Sequence, residues 1–472
     1  MVFSETIFLF GFLPLVLWGY LLTPGRLKNA WLLLMSLAFY ADGERAYALV
    51  MLGAIGFNFW VGRKMGTLPK GSQASRRLLG WSVAFNLLVL GVFKYANFFA
   101  DNLRILLAAV GVGVPELPPV HLPIGVSFFT FQALSYVIDV YRQPTLVQRD
   151  WVKLALYISM FPQLIAGPIV RYEPVAEALD SREHRLDRVL SGVGCFIAGL
   201  AKKVLLADTF ASIADTVFPL PATDLPMDVA WLGALAYALQ IYFDFSGYSD
   251  MAVGLGRVLG FEFPANFCYP YVAKSVTDFW RRWHISLSSW FRDYLYIPLG
   301  GNRVSPARTY LNLWTVFLLC GLWHGAAWTY VLWGAWHGLL LVVERRFLGA
   351  FLKGRPVVGT VYTWLAVLTG WVLFRADNLD QAGTVFRGML GVASAGPQWG
   401  NLGGYVDAWV AVALPVGAIS ATPLWRRCLA DWDAADGARW LPGRMAFLGA
   451  LLLSALIVVS AGAYSPFIYF RF

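Results

Sequence analysis

The chain has 472 residues, of which 58% are hydrophobic and 14% charged, with a mean hydropathy of +0.59. Ordinary soluble proteins carry about a quarter charged residues, so soluble-enzyme, disordered and coiled-coil readings are excluded. Unbroken apolar runs such as 446–460 also exclude an outer-membrane barrel, whose strands alternate polar and apolar residues. What remains is an all-α polytopic integral membrane protein. The net charge of +9 reads as Lys and Arg retained in cytoplasmic loops, with no nucleic-acid partner.

Taken in chain order, apolar runs occur near 7–22, 30–40, 46–62, 78–93, 124–140, 151–170, 189–207, 229–249, 310–322, 328–343, 361–374, 406–420 and 446–464. The first has no basic stretch before it and no small-residue cleavage site after it, so it is expected to stay as a helix. A crossing needs roughly 20 residues, so we expect roughly ten to twelve transmembrane helices, with the shorter runs as re-entrant or interfacial segments. Glycine and proline interrupt several runs, as in Phe161-Pro162-Gln163-Leu164-Ile165-Ala166-Gly167-Pro168, which reads either as a broken helix lining a cavity or as a kink. The segments 63–77 and 345–355 carry Lys and Arg without an acid and are expected on the cytoplasmic side. No polar loop exceeds roughly 30 residues, too short for a separate domain, so 1–472 reads as one membrane-embedded domain. Cys195, Cys268, Cys320 and Cys428 show no paired spacing and read as small hydrophobes; no metal site is expected.

Nucleotide-hydrolase, zinc-protease and serine-hydrolase motifs are absent. Of the five histidines, His184 lies in a charged loop and His121 in the Pro-rich stretch 118–123, and both read as loop residues. His324 lies inside an apolar run, in Leu322-Trp323-His324-Gly325, where an ionisable group is expensive. It reads either as a functional base or as a histidine bonded to a neighbouring helix. Gly321 and Gly325 flank it at helical spacing and would leave room for a substrate. His337 is thirteen residues on, about 140° round a continuous helix, and reads as a structural hydrogen-bonding residue.

The stretch 278–294 lacks Gly and Pro. It spaces Trp283, Leu287, Trp290 and Tyr294 as an apolar stripe opposite Asp278, Arg281, Arg282, Ser289 and Arg292. This predicts one amphipathic interfacial helix carrying His284. Its arginines suit either lipid headgroups or the phosphates of a cytosolic donor. In 240–251, Asp244 and Asp250 flank Ser246-Gly247, which predicts a helix break with Ser249 or Asp250 as the cap.

Taken together, these segments resemble the membrane-bound O-acyltransferase family, in particular its alginate O-acetyltransferase-like bacterial branch. The resemblance is carried by Met1-Val2-Phe3-Ser4, Phe128-Phe129-Thr130-Phe131-Gln132, 161–172, 242–250, 278–301 with Arg282-Trp283-His284-Ile285-Ser286-Leu287-Ser288, Leu322-Trp323-His324-Gly325, and Phe467-Ile468-Tyr469-Phe470. It implies helices around a central funnel, with His324 as the catalytic histidine. His284 matches the family's second position, which is Asn in many eukaryotic members. It also implies acyl transfer from a cytosolic thioester, here acetyl-CoA, toward an exported polysaccharide such as alginate, in the bacterial inner membrane. Arg281, Arg282, Asp244, Gly321 and Gly325 are the accompanying substrate-site candidates, and no cofactor is bound. The alternatives are transfer of another acyl group, such as D-alanine from a carrier protein, and a transporter without covalent chemistry. Besides membrane lipids, the implied partner is an extracytoplasmic acetyltransferase-type protein that finishes the transfer. Such a partner is needed because no polar stretch here, 377–404 and 426–444 included, is long enough for a glycan-binding domain, and it would dock at the extracytoplasmic mouth, against the aromatic terminus 464–472.

Overall fold

The computed structural model describes residues 2–113, 115–116, 118–392, 400, 402–424, 437–462 and 467–468. Parts of the polar stretches 377–404 and 426–444, and most of 464–472, lie outside the described residues. Among the described residues there are helices and no strand. Five helical stretches are long and apolar enough to cross a membrane: Gly25–Met65, Gln73–Ala109, Leu186–Val217, Pro356–Arg375 and Pro442–Ser460. The shorter apolar helices Phe8–Leu22 and Ala408–Ser420 accompany them. Large apolar side chains such as Trp18, Leu22, Trp60, Trp81 and Phe99 are exposed, as expected for surfaces solvated by lipid tails.

The chain forms two compact units, residues 1–193 with 252–264, and residues 194–251 with 265–472. The first contains α1 (Leu13–Leu22), α2 (Lys28–Glu44), α3 (Ala48–Met65), α4 (Gln73–Ala109), α5 (Val126–Arg142), α6 (Trp151–Ser159), α7 (Phe161–Leu164), α8 (Tyr172–Asp180) and the start of α9 (Leu186–Ala201). Helix α5 packs on α3, α4, α6 and α8 and is buried on nearly every side, its polar Ser127, Thr130, Gln132, Ser135 and Asp139 included. Helix α4 is built the other way round. Its buried positions Ser82, Asn86, Leu90 and Lys94 recur every four residues and are mostly polar. Asn86 and Ser82 bond to Asn58 of α3 at 2.8 and 3.2 Å, while Leu88, Trp81 and Phe99 face outward. Of the two readings of the interrupted run 151–170, the structure shows the broken helix: α6 stops at Ser159, α7 is a single turn, and Ile165–Arg171 is not helical.

The second unit contains α10 (Asp208–Val217), most of α11 (Met227–Val258), α12 (Val276–Arg282), α13 (Ile285–Phe291), α14 (Pro306–His324), α15 (Trp328–Val343), α16 (Gly349–Leu352), α17 (Pro356–Arg375), α18 (Leu379–Met389), α19 (Ala408–Ser420) and α20 (Gly437–Ser460). The predicted break at Ser246-Gly247 does not occur, because α11 runs through it. Gly247 is there for a close crossing: a Cβ at Gly247 would lie 2.7 Å from the Gly199 carbonyl, and one at Gly199 2.5 Å from the Gly247 carbonyl. Small residues let helix backbones meet in this way in membranes. Beside the crossing, Lys202 pairs with Asp250 at 2.6 Å and Lys203 with Asp244 at 2.8 Å, so neither Asp250 nor Ser249 is the predicted cap.

Helices α14 and α15 form a hairpin whose arms touch backbone to backbone. A Cβ at Gly321 would meet the Tyr330 carbonyl at 2.3 Å, and one at Gly334 the Phe317 carbonyl at 2.3 Å. The two glycines beside His324 therefore serve packing and leave no substrate gap, contrary to the expectation from their spacing. At Gly325 the added Cβ would strike the Tyr330 ring at 2.1 Å.

Candidate active site

The predicted single helix over 278–294 is two helices, broken at His284. This residue adopts φ 43° and ψ 56°, in the left-handed region. The break follows from competition for hydrogen bonds. In a continuous helix the amides of Ile285 and Ser286 would donate back to residues 281 and 282. Here Ile285 N–H donates to the Asn266 carbonyl (3.0 Å) and Ser286 N–H to Asn266 Oδ1 (3.1 Å). The Arg282 carbonyl, released from the helix, accepts from Cys268 N–H at 2.9 Å. Trp283, Leu287 and Trp290 are buried within the unit, so the apolar stripe faces protein and does not rest on lipid.

His324 ends α14, where Gly325 turns to an extended conformation. This second break, between His324 and His337, separates the two histidines onto different helices. His337, in α15, accepts a hydrogen bond at Nδ1 from Trp280 Nε1 at 3.3 Å, the structural role its position suggests.

The two breaks bring His284 and His324 together with ring centroids 6.5 Å apart. His284 is 0% exposed and His324 4%. Aromatic edges and faces enclose them. Phe245 of α11 stands 4.6 Å from His284, while Trp333 and Phe374 each stand 5.1 Å from His324, with Trp323 at 5.0 Å. Burial holds the His284 imidazole well below the ordinary histidine range, because the charged ring would lose its hydration there. An uncharged imidazole in an apolar enclosure can accept a proton, and the pair has the elements of a general-base site.

Next to this pair, a cavity of about 780 Å³ opens between α12–α13 and the α14–α15 hairpin. Its lining includes Arg281, Ser288, Cys320, Glu344, Arg345 and Ser289. Arg281 and Arg345 are exposed there. Arg282 is not among the lining residues. Its Nε bonds to Asp278 Oδ1 at 2.9 Å and its Nη1 reaches the Cys268 carbonyl. The sequence pattern treats the two arginines alike, and the fold divides them. Glu344 is buried and accepts from the amides of Val276 (2.5 Å) and Thr277 (2.9 Å), anchoring the start of α12 by the attraction of an anion to a helix N-terminus.

Asp244 stands apart from the cavity lining. Besides Lys203, its Oδ2 accepts from Ile468 N–H at 2.8 Å. Phe467 packs on Tyr248 at 4.6 Å, and Phe467 and Ile468 are both buried. These two residues of the terminal motif are turned inward and are not offered to a docking partner. Sequence reasoning missed Asn266, Phe374, Trp333 and Arg345. Asn266 left a trace only as an uncharged polar residue in the non-helical Pro264-Ala265-Asn266-Phe267, and Arg345 only as one charge of the basic segment 345–355.

Residues 47–373 match the membrane-bound O-acyltransferase family (MBOAT). The chain belongs to that family. It is therefore a multi-pass membrane protein and an O-acyltransferase, as the motifs around His284 and His324 imply. It is 47% identical over 390 residues to the probable alginate O-acetylase AlgI of Azotobacter vinelandii, covering 82% of this chain and 78% of that one. It is 42% identical to the probable alginate O-acetylase AlgI of Pseudomonas putida over the full length of both. The peptidoglycan O-acetyltransferase of Helicobacter pylori is 38% identical, over 83% of this chain and 80% of that one. Membership in an acyltransferase family answers the transporter alternative, even though paired charges of the kind transporters use occur at Lys202–Asp250 and Lys203–Asp244.

Proposed function

We propose that this protein moves an acetyl group from cytosolic acetyl-CoA through the bacterial inner membrane for O-acetylation of an exported polysaccharide of the alginate class, with His324 as base. The observation that carries the reading is the meeting of two buried imidazoles, from two broken helices, inside an aromatic enclosure. The acceptor class and the acetyl group rest on the names of the relatives that align over most of the chain.

The chemistry fits the residues. A thioester is already activated, so the barrier lies largely in making an acceptor hydroxyl nucleophilic. His324 takes the hydroxyl proton as the oxygen–carbonyl bond forms. The thioester C–S bond then breaks, and the proton returns to the departing thiolate. A positioned base contributes about 10²–10⁴-fold. His284 orients the acceptor or shuttles a proton. The cavity lined by Arg281 and Arg345 suits the donor's phosphates, since guanidinium groups match phosphate oxygens. Arg345 begins the basic segment that the positive-inside rule assigns to the cytoplasm, which is the side of the donor. A hydrated polysaccharide pays heavily to enter so apolar a site, so an extracytoplasmic partner completes the transfer to polymer.

Purified protein in liposomes, given radiolabelled acetyl-CoA and a hydroxyl acceptor, should transfer label, and His324→Ala should not. Absence of label transfer by the unaltered protein, with or without co-purified partner, would remove the acetyl-CoA reading.

A further inference from the structure

We infer that Asn266 is a positioning residue that sets the tautomer of His284 and makes Nε2 its proton-accepting atom. The inference deepens the acyl-transfer reading above and rests on it for its catalytic consequence. Asn266 is 2% exposed and belongs to no helix. Its Oδ1 meets three groups: Ser286 N–H at 3.1 Å, Ser286 Oγ at 2.9 Å and His284 Nδ1 at 3.1 Å.

The orientation of a side-chain amide is ordinarily ambiguous, but one of these groups resolves it. A backbone N–H can only donate, so the atom that Ser286 N–H reaches is the oxygen of Asn266 and not its NH₂. An oxygen can only accept, so His284 Nδ1 must carry a hydrogen to bond to it. A neutral imidazole has one N–H. The lone pair is therefore on Nε2. The same residue fixes the ring's placement, because its backbone carbonyl accepts from Ile285 N–H at 3.0 Å. Both amides that follow the left-handed turn at His284 are thus held by Asn266.

The consequence is a defined division of roles within the pair. The rings packed on His284 include Phe245, Trp323 and His324, and of these three His324 is titratable. With Nδ1–H committed to Asn266, proton exchange between His284 and the substrate or His324 passes through Nε2. The arrangement parallels the buried carboxylate that holds a catalytic histidine's tautomer in serine hydrolases, with an uncharged amide in its place.

The test is spectroscopic first. Protein labelled with ¹⁵N-histidine, in bilayers at neutral pH, is examined by solid-state NMR, with the His284 signals assigned by their loss in His284→Asn. The expected result is a protonated Nδ1 and an unprotonated Nε2 in the unaltered protein and in Asn266→Asp, which keeps the acceptor. A mixture of tautomers is expected in Asn266→Ala. Turnover of Asn266→Ala, per folded molecule, should fall about 10–100-fold, the usual cost of losing such a supporting contact, with donor KM unchanged. A protonated Nε2 in the unaltered protein overturns the inference, and so does a tautomer unaffected by Asn266→Ala. Normal turnover despite mixed tautomers overturns its catalytic part. If the protein transfers no acetyl group at all, the proposed function fails, and the NMR result still decides the tautomer.

Discussion

His324 and His284 are held by different kinds of constraint, and substitutions should separate them. His324 is an ordinary helix-terminal residue, so His324→Ala and His324→Gln should fold and insert normally while losing turnover, since neither supplies a base near neutral pH. Retained turnover in either, measured per inserted molecule, would remove His324 from the mechanism. His284 sits at φ 43°, a conformation that Asn tolerates and β-branched residues resist. His284→Val should therefore lower thermal stability, by about 1–2 kcal/mol of backbone strain, whereas His284→Asn should not. Equal melting temperatures for the two would show that the turn relaxes. Among the arginines, Arg281→Ala should raise donor KM several-fold with little change in kcat, and Arg282→Ala should raise it far less, because its guanidinium is held by Asp278. Equal effects would mean that the Arg281 cavity is not the donor site.

At the scale of elements, the hairpin of α14 and α15 depends on missing side chains. Gly321→Ala puts a methyl group 2.3 Å from the Tyr330 carbonyl. Backbone must move, so a loss of about 1–3 kcal/mol in stability is expected, read as a lower melting temperature in detergent. An unchanged melting temperature would show that the helices part without cost. This close contact also marks where the sequence was legible and where it was not. The apolar runs, the interruption of 151–170 by Pro and Gly, and the two histidine motifs could be read from residue type and spacing, because these are local properties, although whether that interruption breaks or only kinks the helix could not. The break at His284 could not, since nothing within 278–294 ends a helix. The acceptors that end it come from Asn266, eighteen residues away. The continuity of α11 through Ser246-Gly247 was hidden for the same reason. Glycine reads as a breaker until the partner backbone at Gly199 is known. Arg345 was read for its charge alone, and only the fold brings it to the cavity that Arg281 lines.

For the whole molecule, the basic segments provide the coarsest check. Single cysteines placed at exposed positions in 63–77 and 345–355, in a variant lacking the native cysteines, should resist a membrane-impermeant reagent added outside intact cells and react after permeabilisation. Ready labelling from outside would reverse the orientation and put the Arg281–Arg345 cavity on the wrong side for a cytosolic donor.

The bond from Ile468 to Asp244 has a consequence for how the protein is made. Asp244 lies in the middle of α11, and its carboxylate accepts from Lys203 and from an amide 224 residues further along the chain. At about 5–20 residues per second, synthesis needs roughly 10–45 s to travel that distance. Throughout that interval α11 exists with its carboxylate neutralised by Lys203 but with no amide at Oδ2 from the terminal segment. The second unit therefore closes only after nearly all of its helices have left the ribosome, and chains halted before Ile468 should be inserted but more open to proteolysis around α11 than finished ones.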